Sequence, residues 1–263
     1  MISEFPLFCF TTLAGLGAGA YAVNAVFPVA KASKRAWLFP LACMILLAVG
    51  LLGLPLHLGR PERMLIALTH STAAIAQEAY LSMAFGIVLL ADTLLVKFKG
   101  DCPRALRIVG AVFALILMVV MGNGYFVSLA VPAWASWTTF LLFVFGDLAM
   151  GAALAFLLGG VLSGKDEKEA DDASKQTTFA NVRIALGALA LVSFVAEAVH
   201  FSSIGLSFVP FAVSAVIAAV GIGAILAARM GKLTGKVAAW AEFVCLFVAV
   251  AVARYAFYAA CML

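Results

Sequence analysis

Apolar residues in this chain are gathered into long unbroken runs separated by short polar segments. A bilayer's hydrocarbon core, about 30 Å thick, needs roughly 20 such residues per spanning helix. On that criterion the pattern predicts eight spans, over about 5–29, 36–56, 76–97, 105–124, 138–162, 182–203, 208–228 and 237–258. The runs are too long and too uniformly apolar for the alternating ~10-residue strands of a membrane barrel. The first run is preceded by Glu4 and by no basic residue. A secretory signal needs positive charge there, so this span is read as a retained helix. The expected fold is therefore all-α, with residues 1–263 forming a single membrane domain.

Composition agrees with this pattern. Hydrophobic residues make up 65% of the 263 and charged residues 11%, and mean hydropathy is +1.14. A soluble domain averages about 45–50% apolar and 25% charged, which excludes a soluble globule and a disordered chain. The net charge of +4 is no nucleic-acid signal, because the basic residues sit in short loops. Lys31, Lys34, Arg35, Lys97, Lys99, Arg104, Arg107, Lys165, Lys168, Lys175, Arg183, Arg229, Lys232 and Lys236 fall on one side of the predicted bundle. The opposite side carries Arg60 and Arg63. Cytoplasmic loops attract Lys and Arg, so both termini are expected outside a cytoplasmic (inner) membrane. The mixed-charge segment 163–183 reads as a linker between two four-helix halves, in which no internal repeat is visible. Cys9, Cys43, Cys102, Cys245 and Cys261 show no C-x-x-C spacing. No metal site and no iron–sulfur cluster is expected from this chain alone.

Charges inside the spans are costly, and they face protein or water. Asp147, Glu197, His200, Arg254 and Tyr258 are placed in the outer part of the bundle, with His57 closing the second span and Glu78 opening the third. Glu197 and His200, three residues apart, share a helix face. Arg254 is expected to balance Glu197 or Asp147. Glu78 also has a plainer reading, as the complement to a helix's positive end. Asp92, five residues before Lys97, is expected to reach toward the membrane surface, and Glu242 also belongs to the cytoplasmic side. Segment 57–75 reads as a short interfacial helix. Trp134 and Trp137 fit an aromatic belt. Gly15, Gly17 and Gly19 in the first span, with Gly146 and Gly151 in the fifth, allow close helix approach.

The stretch His57-Leu58-Gly59-Arg60-Pro61-Glu62-Arg63, followed by Gln77-Glu78, resembles the H-L-G-x-P-x-R signature of the dimethyl sulfoxide reductase membrane anchor family. Val131-Pro132-Ala133-Trp134 is similar to that family's loop between spans four and five. Arg254 with Phe257-Tyr258 is similar to its C-terminal end, although Val250 stands where a glutamate is found one turn before the arginine. The resemblance implies a menaquinol-oxidising anchor that passes electrons to an iron–sulfur subunit, which feeds a molybdopterin catalytic subunit outside the membrane. It implies that His57 and Glu78 act on the quinol, with Arg60 and Arg254 in the same region.

The residues suit that chemistry. Oxidising a quinol needs an apolar slot, a hydrogen-bond partner for each hydroxyl and a proton acceptor. Imidazole exchanges protons near neutral pH, and a carboxylate at a dry helix end can relay the second proton. Tyr258, Glu197, His200 and Asp147 are further candidates. Two other readings stay open. A haem-containing quinol dehydrogenase anchor needs two facing histidines, for which position allows only His57 and His200, because His70 lies in a loop. A secondary transporter would show midplane charges in repeated halves, whereas here the charges gather on one side.

Overall fold

The computed structural model describes residues 4–29, 33–163 and 173–262. The described residues form ten α-helices: α1 (Phe5–Val26), α2 (Leu38–Leu51), α3 (Gly53–His57), α4 (Arg63–Leu68), α5 (Ala74–Lys99), α6 (Arg104–Phe126), α7 (Thr138–Leu162), α8 (Ala173–Ser203), α9 (Val209–Arg229) and α10 (Gly235–Ala259). Eight stretches are long and apolar enough to cross a membrane, with α2 and α3 making one of them, Leu38–His57. The chain is a multi-pass membrane protein. The predicted spans and observed helices agree closely, except that α8 starts at Ala173 where the apolar run starts near 182. The helix continues past the bilayer on polar residues, and apolarity does not mark such an extension. Of the expected linker, 164–172 lie outside the described residues.

Local chemistry sets the ends. Pro6 stands in the first turn of α1, where its missing N–H costs nothing. Pro55 has no N–H to offer the carbonyl four residues back, and the helix breaks between α2 and α3 at Leu52. Gly100 closes α5 in the left-handed conformation, with Lys97 and Lys99 in the last turn facing its negative end. The Thr234 hydroxyl accepts the Val237 N–H and caps α10.

The helices pack as two four-membered rings. In one, α1, α2, α5 and α6 are neighbours in circular order; in the other, α7, α8, α9 and α10 are. The rings meet chiefly where α1 lies along α7. These two helices are accordingly the most enclosed, with 78% and 67% of their apolar windows buried against 33–44% for the rest. Glycine makes the contact possible. A Cβ on Gly15 would fall 2.3 Å from the Asp147 carboxylate oxygens, and one on Gly151 would fall 2.3 Å from the Ala20 nitrogen. Lipid tails are as apolar as leucine, so helices associate by close packing rather than by the hydrophobic effect. Small residues therefore mark the seam.

The alternation of eight spans puts the start of α1, His57, Glu78 and the end of α10 at one end of the bundle. We call it the His57 end. Lys34, Arg35, Lys97, Lys99, Arg104, Arg107, Arg229, Lys232 and Lys236 lie at the other, the basic end.

Candidate functional site

The motif at the end of α3 has a backbone explanation. Gly59 adopts φ +66°, a left-handed conformation that is cheap only for glycine. This stops the helix directly after His57. Pro61 then opens a turn in which its carbonyl accepts the Met64 N–H at 3.0 Å, leading into α4. That short helix buries none of its residues, as an interfacial helix would. Arg60 is exposed in the turn.

His57 is half-buried, and its Nδ1 lies 2.7 Å from Glu4 Oε2. Glu78, on the first turns of α5, is only 4% exposed, yet among the described residues it has no hydrogen-bond or ion-pair partner. Its Oε1 faces Gly124 of α6, 3.6 Å from where a Cβ would stand. The next residue, Tyr125, is within electrostatic reach of both Glu78 and Glu4. No direct bond joins His57 to Glu78.

Tyr125 is packed among Trp134, Phe143, Phe257 and Tyr258, with ring centroids 5.3–5.6 Å away. The Tyr258 hydroxyl reaches Thr11 Oγ1 at 3.0 Å, and Thr11 donates to the Leu7 carbonyl at 3.0 Å. Trp134 Nε1 donates to the Phe257 carbonyl at 2.7 Å. Trp134 therefore belongs to the core and not to an aromatic belt, whereas Trp137 is 73% exposed as a belt residue is. The cause is the free carbonyl near the end of α10, which gives a buried indole N–H its partner.

Below this aromatic layer, Arg254 Nη2 donates to Asp147 Oδ1 at 2.6 Å, and Nη1 donates to the Thr11 carbonyl. Both side chains are fully buried, and the guanidinium lies 4.5 Å from the Phe143 ring. Of the two partners the sequence offered Arg254, the structure selects Asp147. Glu197 is also fully buried, and neither of its oxygens has a hydrogen-bond partner. His200, one turn on, donates from Nε2 to the Pro132 carbonyl at 3.2 Å. His57 and His200 thus have separate surroundings, each with one ring nitrogen already engaged. Val250, in the position where the resemblance suggests a glutamate, packs against Gly146.

The basic end holds its own buried pairs. Asp92 does not reach for the surface. It is 1% exposed, accepts the Tyr21 hydroxyl at 2.7 Å and lies 3.9 Å from Arg107 Nε. Lys97, its expected attractor, sits instead over the Trp37 ring at 4.8 Å. Glu242 pairs with Arg183 at 2.5 Å, and the guanidinium stacks 3.5 Å from the Phe156 ring. Arg183 is therefore a buried helical residue rather than a loop charge. Beside Asp92 and Arg107 is a cavity of about 20 Å³, enough for one water and far below the roughly 300 Å³ of a ligand pocket. Among the described residues, no three His, Cys, Asp or Glu side chains converge as a metal site.

Sequence reasoning missed Glu4, Thr11, Tyr125 and Tyr21. Only Glu4 left a signal, as the one charge before the first span.

These features define an all-helical membrane protein with a titratable, aromatic-lined cluster at one end and ion-paired charges at the other. The chain matches the DMSO reductase anchor subunit (DmsC) family over residues 1–259 and belongs to that family. It is a membrane anchor subunit of a DMSO reductase-type complex, whose catalytic and electron-transfer subunits it joins. A search of curated proteins gave no match.

Proposed function

We propose that this chain oxidises menaquinol at the His57 end of the bundle and delivers the electrons to a partner's iron–sulfur clusters, which feed a molybdopterin subunit. One observation supports this most: Glu78 is nearly buried and has no partner among the described residues, at the end of the bundle where the half-buried His57 also lies. A carboxylate left unsatisfied in such surroundings is costly, and costly polar groups in membrane helices mark functional sites. The buried carboxylates of the basic end, by contrast, are taken up by Arg107 and Arg183.

In this reading His57 accepts one quinol proton and Glu78 the other. Electrons and protons leave at the same end, so the step separates no charge across the membrane. Arg60 and Tyr258 border the site. Asp147 and Arg254 hold the helices beneath it, and Glu197 and His200 lie toward α7. In this reading the complex lies in the cytoplasmic membrane with the His57 end outward, a placement supported by the basic loops at the other end.

A complex assembled without this chain is expected to reduce DMSO with a dye donor but not with menaquinol. Undiminished menaquinol-dependent reduction would overturn the proposal. For orientation, reporters active only outside the cytoplasm should work when fused at residue 259 and fail when fused within 164–172. The opposite pattern would invert the placement.

A further inference from the structure

We propose that Glu4 is a positioning residue for His57, acting on quinol oxidation through the imidazole without touching the quinol. The inference rests on the function proposed above and adds a residue to it. Glu4 Oε2 lies 2.7 Å from His57 Nδ1, with the two side chains 16% and 31% exposed.

The approach that brings them together is built into the backbone. A Cβ on Gly53, the first residue of α3, would fall 2.1 Å from the Pro6 carbonyl oxygen and 3.1 Å from Phe10 Cβ. Only a residue without a side chain lets α3 lie this close to the start of α1. Glu4 is fixed from the other side, because its carbonyl accepts the Phe8 N–H at 3.0 Å. The carboxylate is thus delivered to the histidine by a helix start and a helix contact, not by a loose terminus.

The chemistry follows from what each group can do. The carboxylate approaches Nδ1 at ion-pair distance but without hydrogen-bond geometry, so its action on the ring is electrostatic. With Nδ1 covered by the carboxylate, Nε2 is the nitrogen left for a quinol hydroxyl. As the quinol's O–H bond breaks, its proton passes to Nε2 and its electrons leave for the partner's iron–sulfur clusters. The imidazolium so formed has a negative charge 2.7 Å from its other nitrogen. Glu4 therefore covers one ring nitrogen and stabilises the product cation. An ordinary exposed ion pair adds little to folding and would not touch turnover.

The test uses the whole complex in its native membranes, with rates normalised to assembled complex and a menaquinol analogue as donor. Glu4→Ala is expected to lower kcat about 10- to 100-fold, the range for losing the outer partner of a functional histidine. KM is expected to change by less than about threefold, the signature of an interaction realised in the transition state. Glu4→Gln, which keeps the shape but carries no charge, is expected to be about as slow as Glu4→Ala. In a His57→Ala background, Glu4→Ala is expected to cost nothing further. Dye-driven reduction is expected to stay at the parental rate throughout.

Two results overturn the proposal while leaving the quinol site in place. One is a Glu4→Ala kcat within about twofold of the parent when His57→Ala is slow. The other is a full additional loss on adding Glu4→Ala to His57→Ala. If His57→Ala itself turns over normally, the proposed quinol site fails and the role of Glu4 fails with it.

Discussion

His57→Ala and Glu78→Gln are each expected to lower menaquinol-dependent reduction by about 10²–10⁴-fold, the usual cost of losing a positioned proton acceptor. Reduction driven by a dye that donates directly to the catalytic partner is expected to continue at the parental rate. The two halves of the expectation come from different features. The turnover loss follows from what the groups can do: a half-buried imidazole and a buried carboxylate without a partner among the described residues stand at the same end of the bundle. The dye result follows from their setting. Glu78→Gln keeps the shape of a side chain that makes no hydrogen bond among the described residues, so no folding contact is lost. His57→Ala removes a half-buried ring at the bundle's rim. Paired assays on the same membranes check both. Parental menaquinol turnover in both variants would reduce the chain to a structural anchor.

Arg254→Ala is expected to have the largest effect on folding. Removing one partner of a fully buried ion pair typically costs about 3–5 kcal/mol, because the other charge is left without compensation. Against a total stability of about 5–15 kcal/mol, that is enough to deplete the folded protein. Here the stranded group would be Asp147, which is 0% exposed and wedged against the glycine surface of α1. The Thr11 carbonyl would lose its donor as well. Arg254→Met combined with Asp147→Leu is expected to recover much of the loss, because buried ion pairs can often be replaced by apolar residues of similar volume. The thermal midpoint of the detergent-solubilised complex and its abundance in membranes measure both variants. A parental midpoint for Arg254→Ala would show that the pair does not tie α10 to α7.

The fold was largely legible because a hydrocarbon core imposes length and apolarity on every span, and those are properties of local sequence. The departures occur where another force acts. The start of α8 was missed because a helix leaving the bilayer needs no apolar residues. Arg183 counted as a loop charge although it is buried against Glu242 and Phe156, since topology rules weigh charge and ignore pairing. Trp134 left the expected belt because a carbonyl on a helix more than 100 residues away completes its hydrogen bonding.

The site was legible in part. His57 and Glu78 stood out because His57-Leu58-Gly59-Arg60-Pro61-Glu62-Arg63, followed by Gln77-Glu78, resembles the anchor family's signature. Thr11 and Tyr258 meet across 247 positions, and Tyr125 is neutral and embedded in an apolar run. Neither periodicity nor charge could have singled them out. The contact between Glu4 and His57 depends on how closely α1 and α3 approach, which Gly53 permits but does not announce.

The central claim is that quinol is oxidised at the His57 end. Covalent capture of the substrate tests it most directly. A menaquinone analogue carrying a photoreactive azide would be reduced, bound to the intact complex and illuminated, and the labelled peptides mapped. The account predicts label within residues 54–80 and on the last turns of α10, displaced by excess unmodified menaquinol. Displaceable label confined to the segments around Asp92 and Glu242, at the basic end, would contradict it.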